Sequence, residues 1–358
     1  MKDKELTTPR FVNDVRYTYA DAGAQFIFSY KVHPFDLQFV LPFCYGYRKL
    51  NNKNELQEVQ YSSRFYILPY FQGKINLPKG LILKTGASLQ NSEPSLGQML
   101  SGFVLDDYRR ISANSPELYC NKVIYANLGL EYKNLYNLFF ATLSTSFSQS
   151  QNKMITTQRF ENDYSIFEIK RYPHKNNSYG LSGTIGKNFE WSDLLIQFNG
   201  FLRKNEPKYV RDDVLVDYLQ TSCGIGGKIE LTPLRHLLIS NEVFYTNNYG
   251  RAKGIQESNR YSTLSNHLSL DAEITKSLRV SAIYDYYLTD DSMSKNHMSL
   301  ADIGLSYTIN NINLDFKVTN LFNVDRYKNI KINDLTTYAT EYWIRPRAIM
   351  LQVRFKVF

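Results

Sequence analysis

The 358-residue sequence has no run of about 18 consecutive apolar residues, which excludes transmembrane helices. It also has no block of like charge. The net charge of +8 comes from 42 Lys and Arg against 34 Asp and Glu placed singly along the chain, so nucleic acid is not an expected partner. Cysteine is scarce: Cys44, Cys120 and Cys223 are far apart and odd in number, which supports neither a zinc site nor a disulfide framework. His33, His174, His236, His267 and His297 form no HExxH or comparable spacing, so no metal or cofactor is expected. No serine, histidine and acid arrangement points to an enzyme. The opening residues, MKDKELTTPRF, hold no apolar run of signal-peptide length. "CGIGG" at Cys223–Gly227 lies in a strand pattern with no helix after it, so its glycines suit a bend in a strand better than a nucleotide loop. The acid pairs Asp106-Asp107, Asp212-Asp213 and Asp290-Asp291 fall in polar stretches, where solvation is the ordinary state and a weak calcium or substrate contact the alternative.

Aromatic residues are abundant, with 28 Tyr, 22 Phe and 2 Trp. Such amphipathic rings suit strands and membrane interfaces better than helical bundles. Apolar residues alternate with polar ones along most of the chain. "DLQFVLPFCYGYR" puts Leu37, Phe39, Leu41, Phe43, Tyr45 and Tyr47 on one face, and "LRVSAIYDYYL" behaves in the same way. The period is two and the runs approach the 9 to 11 residues that cross a bilayer at a tilt. In "ADIGLSYTINNINLDFKVT" a two-residue turn at Asn310-Asn311 sets Ile309 against Ile312, Tyr307 against Leu314, Leu305 against Phe316 and Ile303 against Val318. All eight belong on one apolar face, expected to be a barrel exterior. A slip of one residue would swap the faces.

Short turns are expected near His33-Pro34, Pro78-Lys79, Asn134-Leu135, Phe189-Glu190, Pro233-Leu234, Thr275-Lys276 and Asn310-Asn311. They alternate with longer polar stretches read as loops: 51–58, 90–121, 149–164, 204–213, 249–263, 289–296 and 320–346. Within 90–121, helical turns are expected around Ser95–Leu100 and Asp106–Arg110. This asymmetry is that of an antiparallel outer-membrane β-barrel, with short periplasmic turns and long external loops. A soluble β-sandwich shows no such alternation of connections. No Pro- or Gly-rich linker divides the chain, so residues 1–358 read as one all-β domain without a plug, residues 1–20 being the remnant of an external loop. Seven short turns give about fourteen strands and the terminal strand about fifteen. Single-chain bacterial barrels have an even number, so an open part of a barrel of about 22 strands is expected.

The end of the chain carries a resemblance. "NLFN" (Asn320, Leu321, Phe322, Asn323), then Tyr327, a long connection and "WIRPRAIMLQVRFKVF" with Arg345, Pro346 and Arg347 ahead of the last strand resemble the C-terminus of TonB-dependent outer-membrane receptors. The likeness is to the large-barrel type that often carries a carboxypeptidase-regulatory-like domain and a plug. It implies outer-membrane lipid around the barrel, a barrel-insertion machinery, an energy-coupling periplasmic protein (TonB), and in some members a surface lipoprotein. It implies uptake of an iron chelate, vitamin, oligosaccharide or peptide, with the ligand bound by the long loops. Ile349, Leu351, Val353, Phe355 and Val357 would then face outward on the strand that closes the barrel, and Phe358 would serve as the terminal aromatic of assembly, one position beyond the outward parity. The residues alone leave open an autonomous porin-like or structural barrel, or a soluble all-β binding module.

Overall fold

The computed structural model describes residues 13–355 except 53–58, 101, 108, 115–116, 162–163, 212–213, 255–257, 292–294 and 334–335. Val357 and Phe358, Asp212 and Asp213, and most of the first 20 residues lie outside the described residues. Period-two patterning produces strands almost throughout: β1 (Val15–Val32), β2 (Phe35–Asn52), β3 (Val59–Ile67), β4 (Tyr70–Leu77), β5 (Leu81–Ser92), β6 (Phe103–Asp107), β7 (Arg110–Ala113) and β8 (Asn121–Asn134). The order continues with β9 (Phe139–Glu161), β10 (Tyr164–Phe189), β11 (Leu194–Glu206), β12 (Lys208–Arg211), β13 (Val214–Leu234), β14 (Leu237–Ala252) and β15 (Ser258–Thr275). It ends with β16 (Leu278–Asp291), β17 (Lys295–Ile309), β18 (Ile312–Thr319), β19 (Arg326–Asn333), β20 (Thr336–Trp343) and β21 (Ala348–Phe355).

Nineteen strands form one sheet, and β19 and β20 pair separately as a hairpin. The wall is an antiparallel meander. β3 and β4 both pair with β2 and act as one interrupted strand, while β6, β7 and β12 lie off the wall. Nineteen strands without β6, β7 and β12, and with β3 and β4 counted as one, leave fifteen wall positions, the number expected from the turns. Among the described residues β1 pairs only with β2, and β21 only with β18.

The register of the β17–β18 hairpin is the expected one: Ile309 opposite Ile312, Tyr307 opposite Leu314, Leu305 opposite Phe316 and Ile303 opposite Val318. β21 continues the same apolar face, with Phe355, Val353, Leu351 and Ile349 opposite Ile312, Leu314, Phe316 and Val318. On β1 and β2 that face carries Phe26 opposite Leu41 and Phe28 opposite Phe39. It is covered by no second layer. Phe26 is 71% and Leu351 68% exposed, an arrangement that hydrocarbon satisfies and water does not. The opposite face is tied across strands by polar pairs: Ser306 Oγ donates to Asp315 Oδ1 at 2.6 Å, Arg354 Nε reaches Asp315 Oδ2 at 3.0 Å, and Lys317 lies 3.3 Å from Asp302. Apolar outside, polar inside and strands paired edge to edge along a meander is the wall architecture of an outer-membrane β-barrel.

All seven short connections fall where the sequence placed them. His33-Pro34 is cis, and Gly80 adopts φ 78°, where a Cβ would strike the Lys133 carbonyl oxygen. The long connections differ from expectation. Residues 149–161 are not a loop: β9 and β10 run 23 and 26 residues and stay paired up to Glu161 opposite Tyr164. In the same way β11 reaches Glu206, β14 reaches Ala252, and β16 and β17 flank 292–294. Polar residues continue a strand as readily as alternating ones once both faces meet water, because the neighbouring strand still satisfies the backbone. Leu96–Met99 is the expected helical turn, whereas Asp106–Arg110 joins β6 to β7 as a hairpin. Residues 15–20 belong to β1, not to an external loop.

Candidate functional site

The wall has little interior. Nearly all buried apolar residues lie beyond the roughly 10 residues that follow each short turn across a bilayer, on the side of the long connections: Leu50, Met99, Met154, Ile155, Ile166, Ile169, Val216, Tyr218 and Ala252. Ala272 is the exception. A packed layer therefore caps the loop side of the wall.

Its centre is the β9–β10 ribbon. Near the short turns β9 neighbours β8 and β10 neighbours β11. Above an irregularity between Arg171 and His174 the neighbours exchange: β10 pairs in parallel with β7 (Ile166 opposite Ile111) and β9 in parallel with β12 (Val210 opposite Thr157). A ribbon that turns over between the two levels makes this exchange, and a bulge supplies the extra twist. β12 also pairs with β13, so β6, β7, β10, β9, β12 and β13 form one platform. Val216 and Tyr218 of β13 cluster with Ala252 of β14 and with Tyr209 of β12, whose ring meets Tyr218 edge-on at 6.0 Å. A Cβ at Gly250 would run into the Tyr218 hydroxyl, so the Tyr218 ring would have to move to accept one. Ile166→Val should cost about 1 kcal/mol and show as faster proteolysis of the platform, with the wall unchanged.

The segment between β5 and β8 is fastened to β1 and β2 by charge. Arg48 Nη1 contacts Asp21 Oδ1 at 2.6 Å and its Nε contacts Glu93 Oε2 at 2.8 Å. The Tyr17 hydroxyl donates to Glu93 at 3.3 Å and the Tyr66 hydroxyl to Asp21 at 3.4 Å. Burial, then the Glu93 charge, pushes the Tyr17 phenol up to about 12. The hydrogen bond to Glu93 foremost holds the Arg48 guanidinium above its ordinary value. Asn13 adds a tie, accepting from the Gly102 amide at 2.7 Å.

Beside this clamp the wall splits. β3 pairs with β2 and leaves its other edge free of β5, which pairs with β4 up to Ser88. The gap opens into a cavity of about 1000 Å³ whose lining includes Arg64, Tyr66, Lys122, Lys153, His174 and Lys175. His174 Nδ1 donates to the Tyr172 carbonyl at 2.8 Å, and its Nε2 accepts from Asn152 at 3.3 Å, which fixes the ring. The four cations did not stand out in the sequence, where Arg64, Lys122, Lys153 and Lys175 are scattered basic residues on four different strands.

The residues of the C-terminal resemblance come together. Asn320, at φ 52° and 6% exposed, receives the Val324 amide on Oδ1 at 2.9 Å and donates from Nδ2 to the carbonyls of Val324 (2.7 Å) and Arg345 (2.9 Å). Its own amide donates to Asp302 at 3.0 Å. The Leu321 amide donates to the Ala301 carbonyl at 2.8 Å. Asn323, at φ 55°, accepts the Arg347 amide at 2.9 Å, and the Phe322 ring meets Tyr284 edge-on. The motif thus clips the start of the last long connection to its end, leaving Pro346 between two pinned neighbours at the entry to β21. Tyr327 stands apart, opposite Tyr342 in the β19–β20 hairpin. Asp106 pairs with Arg110 at 3.3 Å and Asp290 with Lys295 at 3.9 Å, so these acids have cationic partners. No group of three His, Cys, Asp or Glu that could hold a metal occurs among the described residues.

No family model matches the chain, and no curated protein does. Solved outer-membrane structures do. The chain is similar to OmpT of Vibrio cholerae at 11% identity, covering 96% of each chain with a TM-score of 0.35. It is similar to the ferric-catecholate import receptor Fiu of E. coli K12 at 10% identity and TM-score 0.44, covering 98% of this chain and 63% of that one. It is similar to FpvA of P. aeruginosa bound to a pyoverdine–iron complex at 11% identity and TM-score 0.37, covering 96% and 59%. The chain thus spans about three fifths of the length of these two receptors. At such identities and TM-scores the likeness assigns no ligand or activity.

Proposed function

We propose that this chain is the C-terminal portion of the barrel wall of a TonB-dependent outer-membrane receptor, which takes up a nutrient across the outer membrane once further strands and a plug complete it. The observation that carries this reading is the pair of free edges: β1 pairs only with β2 and β21 only with β18 among the described residues. An uncovered edge invites another strand. The clip formed by Asn320, Asn323, Arg345 and Arg347 supports it, since it aims β21 as a closing strand. Ile349, Leu351, Val353 and Phe355 face outward there, Val357 would continue that face, and Phe358 would be read by the insertion machinery. The packed platform over the loop side is the surface on which ligand would be met, and TonB and any lipoprotein partner would act on the completed receptor.

Backbone-amide hydrogen exchange of the chain in detergent micelles tests the reading. In an antiparallel sheet alternate amides point to each neighbour. Half the amides of β1 and half of β21 should therefore exchange rapidly while those of β9 and β10 stay protected. Protection of all amides in both strands would mean that β1 closes on β21, and the autonomous porin-like barrel would replace this reading.

A further inference from the structure

The cavity in the split between β3 and β5 is charged with one sign. Arg64, Lys122, Lys153 and Lys175 line it, and no Asp or Glu does. None of the four forms a salt bridge among the described residues, whereas elsewhere on the wall Lys84 and Lys133 are paired with Glu131, Lys204 with Glu206, Lys208 with Asp217 and Lys228 with Glu230. The closest clamp acid, Glu93, is already held by Arg48 and Tyr17. Four cations facing one concavity repel each other, and low-dielectric walls focus their field. Such a group is stabilised by an anion of matching charge. Hydrogen bonds from Asn152 and to the Tyr172 carbonyl fix the His174 ring in the lining, and Asn91 and Gln151 add amide donors.

We propose that this cavity binds a multiply charged phosphoanion. Lysine ammonium groups act on phosphate as point charges and arginine as a two-pronged donor. Position adds a second feature. Phe65, Ile67 and Leu89 line the same cavity, and all three belong to the outward, apolar face of the wall, Phe65 opposite Tyr45 and Ile67 opposite Phe43. The site therefore opens sideways, beside the loop-side rim of the membrane-facing band, and not only into the polar interior. A phosphorylated headgroup with acyl chains fits both halves: phosphate on the cations, hydrocarbon along Phe65 and Ile67. A soluble polyphosphate fits the cations alone. The inference does not depend on the chain being part of a receptor.

The test is a binding titration of the full chain in detergent micelles with three probes: a bisphosphorylated glycolipid, the same lipid dephosphorylated, and inorganic tripolyphosphate. The variant is Arg64→Gln/Lys153→Gln, two exposed positions, and the control is Lys79→Gln/Lys276→Gln, which removes equal charge at the short-turn end. The expected result is binding of the phosphorylated lipid, weakened about tenfold or more in the cavity variant, little changed in the control, and falling with salt. If tripolyphosphate binds as tightly with the same sensitivity, the site is confirmed and its ligand is soluble. If it fails to compete, the ligand is the lipid. Binding of the dephosphorylated lipid with equal affinity, equal loss in both variants, or no binding of either phosphorylated probe would overturn the proposal.

Discussion

Replacing Asn320 by alanine is expected to lower stability by about 2–5 kcal/mol, the sum of two separable costs. The first is backbone. Asn320 sits at φ 52°, a left-handed conformation that asparagine tolerates and alanine does not. The second is hydrogen bonding. Its side chain is buried, and its loss would leave the carbonyls of Val324 and Arg345 and the amide of Val324 without these partners. Asn320→Gly separates the two, keeping the conformation and losing the bonds, and should recover part of the loss. Urea titration of the three proteins in detergent measures both. The region from Asn320 to Arg347 should loosen first, because the clip joins its two ends. Equal midpoints for all three proteins would show that the clip contributes nothing.

The second large effect is expected on the outward face. Leu305 stands opposite Phe316 on β18 and Val280 on β16, with no layer over it. Leu305→Arg should cost about 2–4 kcal/mol if the site lies near the bilayer midplane, because the guanidinium must leave water for hydrocarbon. Thr308→Arg, on the polar face of the same strand, should be nearly neutral. Unfolding in lipid vesicles gives the contrast. Equal effects at both positions would mean that the two faces meet the same medium.

Much of this wall was legible from period-two patterning. Ile303 to Val318 could be registered residue by residue because one side of every pair is apolar, and a slip would cost every pair at once. The seven short turns and the fifteen wall positions follow from the same regularity. The platform was not legible. In residues 149–164 the sequence is polar and carries no alternation, and its strands are held by β7 and β12, which lie far away in the chain. Local patterning does not report such pairings. The segment Asp106–Arg110 misled for a similar reason, since it joins β6 to β7 and β7 is paired with the distant β10. The signature residues Asn320 and Asn323 were found by resemblance, but their physical task, holding Arg345 and Arg347 in place, needed the geometry. The basic cavity had no sequence signal at all, because its four cations come from four separate strands.

The central claim is that a single-layer wall meets lipid on one face and water on the other. Its most direct measurement is a nitroxide scan from position 303 to 309, one label at a time, in the chain reconstituted in lipid vesicles. The account predicts that labels at 303, 305, 307 and 309 collide with lipid-dissolved oxygen, while labels at 304, 306 and 308 collide with a water-soluble nickel chelate, an alternation of period two. Uniform accessibility along the strand, or water contact at the odd positions, would contradict it.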